Sequence, residues 1–203
     1  MTALPNRDRR AERREATRRE IIDAAWSIAR RDGLASVTLR EVGELVGMRA
    51  PSLYSHFESK NAIYDAMFAE SWRECVRMFE AIEFPAAPRE ALLLEMETFF
   101  DFSTADLARH QLMNQRVIHD FEPSKEAYAE AVNAYERMRE SMRAWGVRRQ
   151  ADLDLWTAML SGFINQQHAN EPGGTRWRRQ LPRFVDMYCD DLGIPGPALR
   201  RVK

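Results

Sequence analysis

Residues 37–60 read VTLREVGELVGMRAPSLYSHFESK, and their punctuation is that of two short helices joined by a tight turn. Thr38 precedes Glu41 by three residues, the spacing at which a hydroxyl and a carboxylate cap each other's end of a helix. Val37 and Val42 flank that cap where a hydrophobic staple needs them. Gly47 supplies a left-handed stop, so this helix is short. Met48 faces inward in the turn, and Pro51 suits the first turn of a third helix, where its missing N–H costs little. That helix runs to about Phe57. A longer one follows from Ser59 to about Ile82. Leu39, Val42, Leu45 and Val46 pack the unit on the preceding helix, and Leu53 and Phe57 are core. Arg49, Ala50, Pro51, Ser52, Tyr54, Ser55 and His56 then lie on or near the third helix. Arginine reaches guanine edges or phosphates, serine and tyrosine hydroxyls bond phosphate oxygens, and Ala50 and Pro51 can touch a thymine methyl. Thr38 and Lys60 open the neighbouring helices and offer further phosphate donors. Capped, glycine-stopped helices also occur in helical domains that never meet DNA, and Tyr54 has an alternative as a core residue.

Working outward, Thr17 and Glu20 repeat the capping spacing, which predicts a first helix from Thr17 to Gly33 with Ile21, Ala25, Ile28 and Ala29 on its inner face. Seven arginines lie between Arg7 and Arg19. Through residue 60 there are twelve Arg and Lys against nine Asp and Glu, in a chain that is net −1 overall. A basic end on an acidic body points to a polyanion partner held by that end. Beyond Ile82, helical periodicity continues over 88–103, 105–119, 124–145, 151–170 and 175–192, with Pro182 expected to kink the last helix or displace its start. A basic Pro/Gly tail after Gly193 reads as loose. No strand-like alternation is present. The fold expected is all-α, about nine helices, with residues 1–60 as an N-terminal arm and DNA-binding head and residues 61–203 as a larger helical body. Cys75 and Cys189 form neither a ligand pattern nor a disulfide framework. With no apolar run of bilayer length and no secretory leader, the expectation is a cytoplasmic protein without membrane contact. No metal site, catalytic motif or cofactor is expected.

The 37–60 stretch, with the helix before it, resembles the signature of TetR-type helix-turn-helix regulators: a capping Thr, a short helix, Gly, a brief turn, Leu-Tyr-x-His-Phe, and a Lys opening the fourth helix. The family more often has Ile-Ala at Val42-Gly43 and Ala at Leu45. The resemblance implies phosphate contacts from Thr38, Tyr54, His56 and Lys60, base-edge contacts from residues 49–52 and 55, and a backbone or base contact from Arg40. Ala50 stands where relatives often carry a polar reader. The resemblance further implies a homodimer on double-stranded operator DNA, usually repressing, released when a small effector binds the body.

The body resembles the family in architecture alone. Its aromatic and Met stripes fit either a core or an effector pocket. Candidate pocket residues are Phe99, Phe102, Gln115, His119, Tyr128, Trp156, Phe163, Asn165 and Gln166. Two helices with broad apolar faces offer a dimer interface through Trp156, Met159, Leu160, Phe163, Leu181, Phe184, Val185 and Tyr188, or else simply close the monomer core. The spacing of His110, His119 and His168 suits ordinary histidines better than a metal site. An alternative from another class is a helical enzyme or small-molecule-binding protein that keeps the helix-turn-helix only as a scaffold. A third is a regulator governed by a protein partner.

Overall fold

The structure, a computed structural model, describes residues 9–196, and at Ala50 the backbone alone. Arg7, the side chain of Ala50 and the tail beyond Gly196 lie outside the described residues. Within them the chain is helical: α1 (Arg9–Asp32), α2 (Leu39–Leu45), α3 (Ala50–Tyr54), α4 (Lys60–Glu80), α5 (Pro88–Thr104), α6 (Leu107–Asn114), α7 (Lys125–Ala144), α8 (Gln150–Asn170) and α9 (Leu181–Asp191). Single 3-10 turns at Leu34–Ser36 and Arg178–Gln180 precede α2 and α9. Among the described residues no helix is long and apolar enough to cross a membrane.

Four boundaries depart from the sequence expectation. Thr17 does not cap α1 but lies well inside it, because the Ala, Arg and Glu from Arg9 to Ala16 are strong helix formers and carry the helix back past it. α3 stops at Tyr54, and α6 stops at Asn114, where Gln115 turns extended. Asp120 then adopts a φ of 60° in the loop to α7. Pro182 displaces rather than kinks its helix: α9 begins at Leu181, with the proline in the first turn.

Two cores organise the fold. The first joins Ile21, Ala25 and Ile28 of α1, Val42 of α2 and Leu53 after Pro51 in α3 to Ile63, Tyr64 and Met67 of α4. It also takes in Ala108 and Leu112 of α6 and Ile118 of the following loop, so apolar packing runs without interruption across residue 60. Tyr64 is wholly buried and donates its hydroxyl to the carbonyl of Leu34 at 2.5 Å. The second core gathers Leu92, Met96 and Phe100 of α5, Met142 of α7, Trp156 and Leu160 of α8, and Val185 and Tyr188 of α9. Each such side chain withdrawn from water contributes about 1.5–3 kcal/mol. A smaller cluster of Cys75, Phe102 and Met113 bridges the two along α4.

Candidate nucleic-acid interface and ligand cavity

The head is set by short-range rules. Thr38 is extended (φ −129°, ψ 146°), and its Oγ1 accepts from the Glu41 backbone N–H at 3.2 Å. Its own O–H stays available as a donor. Gly47 ends α2 at φ 66°, and the Met48 N–H closes the turn on the Gly43 carbonyl at 2.8 Å. Gly43 admits this closure: a Cβ there would stand 2.9 Å from the Met48 carbonyl oxygen. Leu39, Val42, Val46 and Met48 pack inward as expected, whereas Leu45 is 52% exposed. It falls on the outer side of a helix too short to bury both faces.

Leu53 and Phe57 anchor α3 in the core, which turns the opposite edge outward. Arg49, Pro51, Ser52, Tyr54 and Ser55 are all exposed on that edge, Tyr54 by 53%. Thr38 is exposed beside them. Arg40 is exposed too and paired with Glu44 at 3.0 Å. His56 and Lys60 are half-buried; the Lys60 ammonium sits 5.5 Å from the Tyr64 ring centroid, and His56 Nδ1 is buried without a hydrogen-bond partner. The structure thus brings the described candidates of residues 38–60 to one end of the molecule. It adds a pair that sequence reasoning missed. Arg14 Nη2 donates to the Ser55 carbonyl at 3.3 Å, Arg18 Nη1 donates to the His56 carbonyl, and the Arg18 guanidinium lies 4.1 Å over the Phe57 ring. Two arginines one helical turn apart therefore clasp the carbonyl end of α3. Their i, i+4 spacing inside the arginine run was the available signal.

In the body, a cavity of about 420 Å³ opens between α4, α5, α7 and α8. Trp72, Cys75 and Phe79 of α4, Phe84 of the α4–α5 loop, Glu95 and Phe99 of α5, Tyr135 and Met138 of α7, Trp145, and Thr157 and Ser161 of α8 line it. Arg137 and Glu80 form an ion pair of 2.6 Å in its wall. Burial pushes the Glu95 carboxyl up to about 7, opposed by the hydrogen bond it accepts from Trp156 Nε1 at 3.2 Å. Burial, and then the charge of Glu95, push the Cys75 thiol up to about 12, with Arg109 acting the other way. A thiol so held is inert packing.

Of the nine residues that sequence reasoning offered for a pocket, Phe99 lines this cavity. Trp156 stands behind Glu95, in the second core. Phe102 belongs to the small cluster, under the Arg109 guanidinium at 3.7 Å. Gln115 and Asn165 do meet, at 2.8 Å, with His110 Nε2 3.3 Å from the same Asn165 oxygen, and the His110 ring stacks on His168. Gln166 accepts from Asn170 on the surface, and Tyr128 is exposed. His119 lies in the loop beyond α6 and pairs with Asp120 at 2.7 Å, a contact possible because the helix expected there has already ended. Phe163 packs edge-on against Phe184. Glu95 was the missed residue with a readable signal: a carboxylate set among Ala91, Leu92, Met96 and Phe99 on an apolar stripe.

The proposed dimer residues divide. Trp156, Leu160, Leu181, Val185 and Tyr188 are buried by the chain's own second core, so they have little surface left for a second copy. Met159 stays exposed, and Phe163 and Phe184 are half-buried. Leu155 and Met187, exposed by 50% and 60%, continue the uncovered apolar surface of α8 and α9.

Comparison with known proteins agrees with this geometry. The family described as bacterial regulatory proteins, tetR family, matches residues 21–67. The chain is 23% identical over 194 residues to the HTH-type nicotine-responsive transcriptional repressor HdnoR of Paenarthrobacter nicotinovorans, covering 87% of this chain and 96% of that one. It is also 23% identical over 201 residues to the protein named "Probable acrEF/envCD operon repressor" of Escherichia coli K12, covering 88% and 89%. The fold matches that of the transcriptional regulator FadR from Bacillus subtilis, solved with stearoyl-CoA, at a TM-score of 0.63 and 16% identity over 88% of this chain and 98% of that one. Residues 21–67 thus carry the tetR-family DNA-binding segment, and the chain as a whole is similar to TetR-type helix-turn-helix regulators.

Proposed function

We propose that this chain is a ligand-responsive repressor that holds a palindromic operator as a homodimer and leaves it when a small molecule enters the cavity between α4, α5, α7 and α8. The carrying observation is the exposed edge of α3, on which Arg49, Ser52, Tyr54 and Ser55 stand free of the core while Leu53 and Phe57 fasten the helix behind them. In this reading Thr38, Tyr54, His56 and Lys60 hold phosphates, residues 49–52 and 55 read base edges, and Arg40 reaches the groove margin. The uncovered stripe of Leu155, Met159 and Gly162 on α8, with Phe184 and Met187 on α9, seats the second copy and sets the half-site spacing at about 34–36 Å. In support, one relative is named nicotine-responsive, and one structural neighbour was solved in complex with stearoyl-CoA.

α4 couples the two ends. It runs about 30 Å as one helix, from Lys60 in the head to Trp72, Cys75 and Phe79 in the cavity wall. The loop after α6 is tied to its first turns by Asn61 donating to the Asp120 carbonyl at 3.0 Å and by the Ser124 N–H donating to Asp65 at 2.8 Å. A ligand that fits better when α4 is displaced shifts the dimer toward a head spacing that misses successive major grooves, by no more than its difference in affinity for the two states. Selection of DNA from random duplexes tests the reading. A two-fold-symmetric consensus is expected, bound more weakly by Tyr54→Ala and Lys60→Ala; asymmetric or unselected DNA, or variants that bind as before, would overturn it.

A further inference from the structure

Glu95 is costly where it stands. It is 5% exposed, and an ionised carboxylate moved out of water is strongly destabilising unless paired. Its recorded partner is Trp156 Nε1 at 3.2 Å, and among the described residues no Lys, Arg or His forms an ion pair with it. A carboxylate has about four acceptor sites, so most of its capacity is unused. The same cavity is walled by Trp72, Phe79, Phe84, Phe99 and Trp145. The faces of such rings carry negative electrostatic potential and attract cations within about 6 Å. The charged pair in the wall, Arg137 and Glu80, is neutral as a unit. Apart from the unpartnered Trp72 Nε1–H, the uncompensated electrostatic features of the wall are therefore negative. An anionic ligand would meet an unscreened carboxylate. A bare metal ion would find one carboxylate and rings in place of the several oxygens it requires.

We infer that the cavity takes an organic cation, a protonated or quaternary amine on an apolar body, with its charge against Glu95 and its body among the aromatic rings. The inference rests on the cavity being the effector site. A volume of about 420 Å³ suits a small drug-like molecule. Trp72 Nε1, buried without a partner, offers a donor to a hydrogen-bond acceptor elsewhere on such a ligand. Specificity arises from the buried carboxylate being left unpaired by any uncharged competitor.

The test compares benzyltrimethylammonium with its uncharged carbon isostere, 2,2-dimethylpropylbenzene, on the full chain at pH 8. Binding is followed by quenching of Trp72 and Trp145 and by calorimetry. The expected result is at least tenfold tighter binding of the cation, with Glu95→Gln bringing the cation to the level of the isostere while the isostere is unaffected. Glutamine keeps the shape and the acceptor for Trp156, and an unchanged circular dichroism spectrum checks that the variant folds. Ser161→Trp, which fills the cavity from α8, is expected to abolish binding of both probes. If both probes bind equally, or Glu95→Gln leaves their ratio unchanged while Ser161→Trp removes both, the cation inference falls and the cavity stands. If neither probe binds, both fall.

Discussion

The DNA-facing edge and the body cavity are built on opposite principles. The first comes almost entirely from 24 consecutive residues, 37–60, each of whose positions follows from a cap, a stop or a turn. The second is assembled from positions as far apart as Trp72 and Ser161, and its walls are drawn from α4, α5, α7 and α8 together with Asn114 of α6 and the α4–α5 loop. The edge is polar and exposed because core anchors force it outward. The cavity is mostly apolar, with two acids in its wall, Glu80 paired to Arg137 and Glu95 without a cation. Local chemistry thus determines the head, and non-local packing determines the body, yet one apolar core ties them together through α4.

The strongest way to break this contrast is to weaken the head and watch the body. Leu53 is fully buried where α3 meets α1 and α4. Leu53→Ala is expected to cost about 2–5 kcal/mol. Because the core crosses residue 60, the loss should appear as a single cooperative thermal transition at lower temperature for the whole chain. Two resolved transitions, with the body unaffected, would show residues 1–60 to be an independent unit.

Glu95 gives the next largest effect, on the body side. Its folded pKa of about 7 lies above the ordinary value of 4.5 because burial disfavours the charge. A native state that binds a proton more tightly than the unfolded chain loses stability as pH rises, here between about 4.5 and 7. Above that window the cost is about 3 kcal/mol, from 1.36 kcal/mol per unit. Glu95→Gln removes the titration, so the variant should be more stable than the parent by about that amount at pH 8, with the gap closing toward pH 4.5. Urea unfolding at the two pH values measures it, and a gap independent of pH would show that Glu95 does not titrate in this window.

Smaller effects separate readers from holders at the DNA edge. Arg49→Ala is expected to cost about 1–3 kcal/mol on the selected operator and to relax preference at one base pair. Lys60→Ala should weaken all duplexes alike and reduce the salt slope by about one. Competition binding at several salt concentrations distinguishes the two. Equal loss on every sequence from Arg49→Ala would reassign it to the phosphates.

The same contrast explains what sequence could and could not reveal. Thr38, Gly47, Pro51 and Ser59 act on their nearest neighbours, so their roles could be read from spacing, and the observed caps and turns agree. Thr17 failed because an identical spacing has no force once the residues before it also favour helix. Trp156, Leu181 and Tyr188, expected at a dimer surface, are covered by the chain's own core, because a broad apolar face does not say whether its cover comes from the same chain or another. Of the candidate pocket residues only Phe99 lines the cavity, because helical periodicity tells which face is inside but not where packing leaves a gap. Gln115 and His119 lost their expected places when α6 ended early.

The arginine clasp gives the finest test of how far the head depends on contacts beyond residues 37–60. Arg18 makes a charge-assisted hydrogen bond to the His56 carbonyl and lies over Phe57, whereas Arg14 reaches the Ser55 carbonyl from an exposed position. A hydrogen bond to a charged group and a cation–π contact are each modest when partly exposed. Arg18→Ala is therefore expected to cost about 1–2 kcal/mol of stability and to lower operator affinity, since the carbonyl end of α3 loses its brace. Arg14→Ala should cost less, about 0.5 kcal/mol, by the small worth of exposed contacts. Both arginines are also positive charges near the edge that meets DNA. Arg18→Lys separates the two effects, because it keeps the charge but loses the planar group that stacks on Phe57. If Arg18→Lys restores affinity fully, α1 contributes only field; if affinity stays low, α1 positions α3, and the head's geometry is not contained in its own 24 residues.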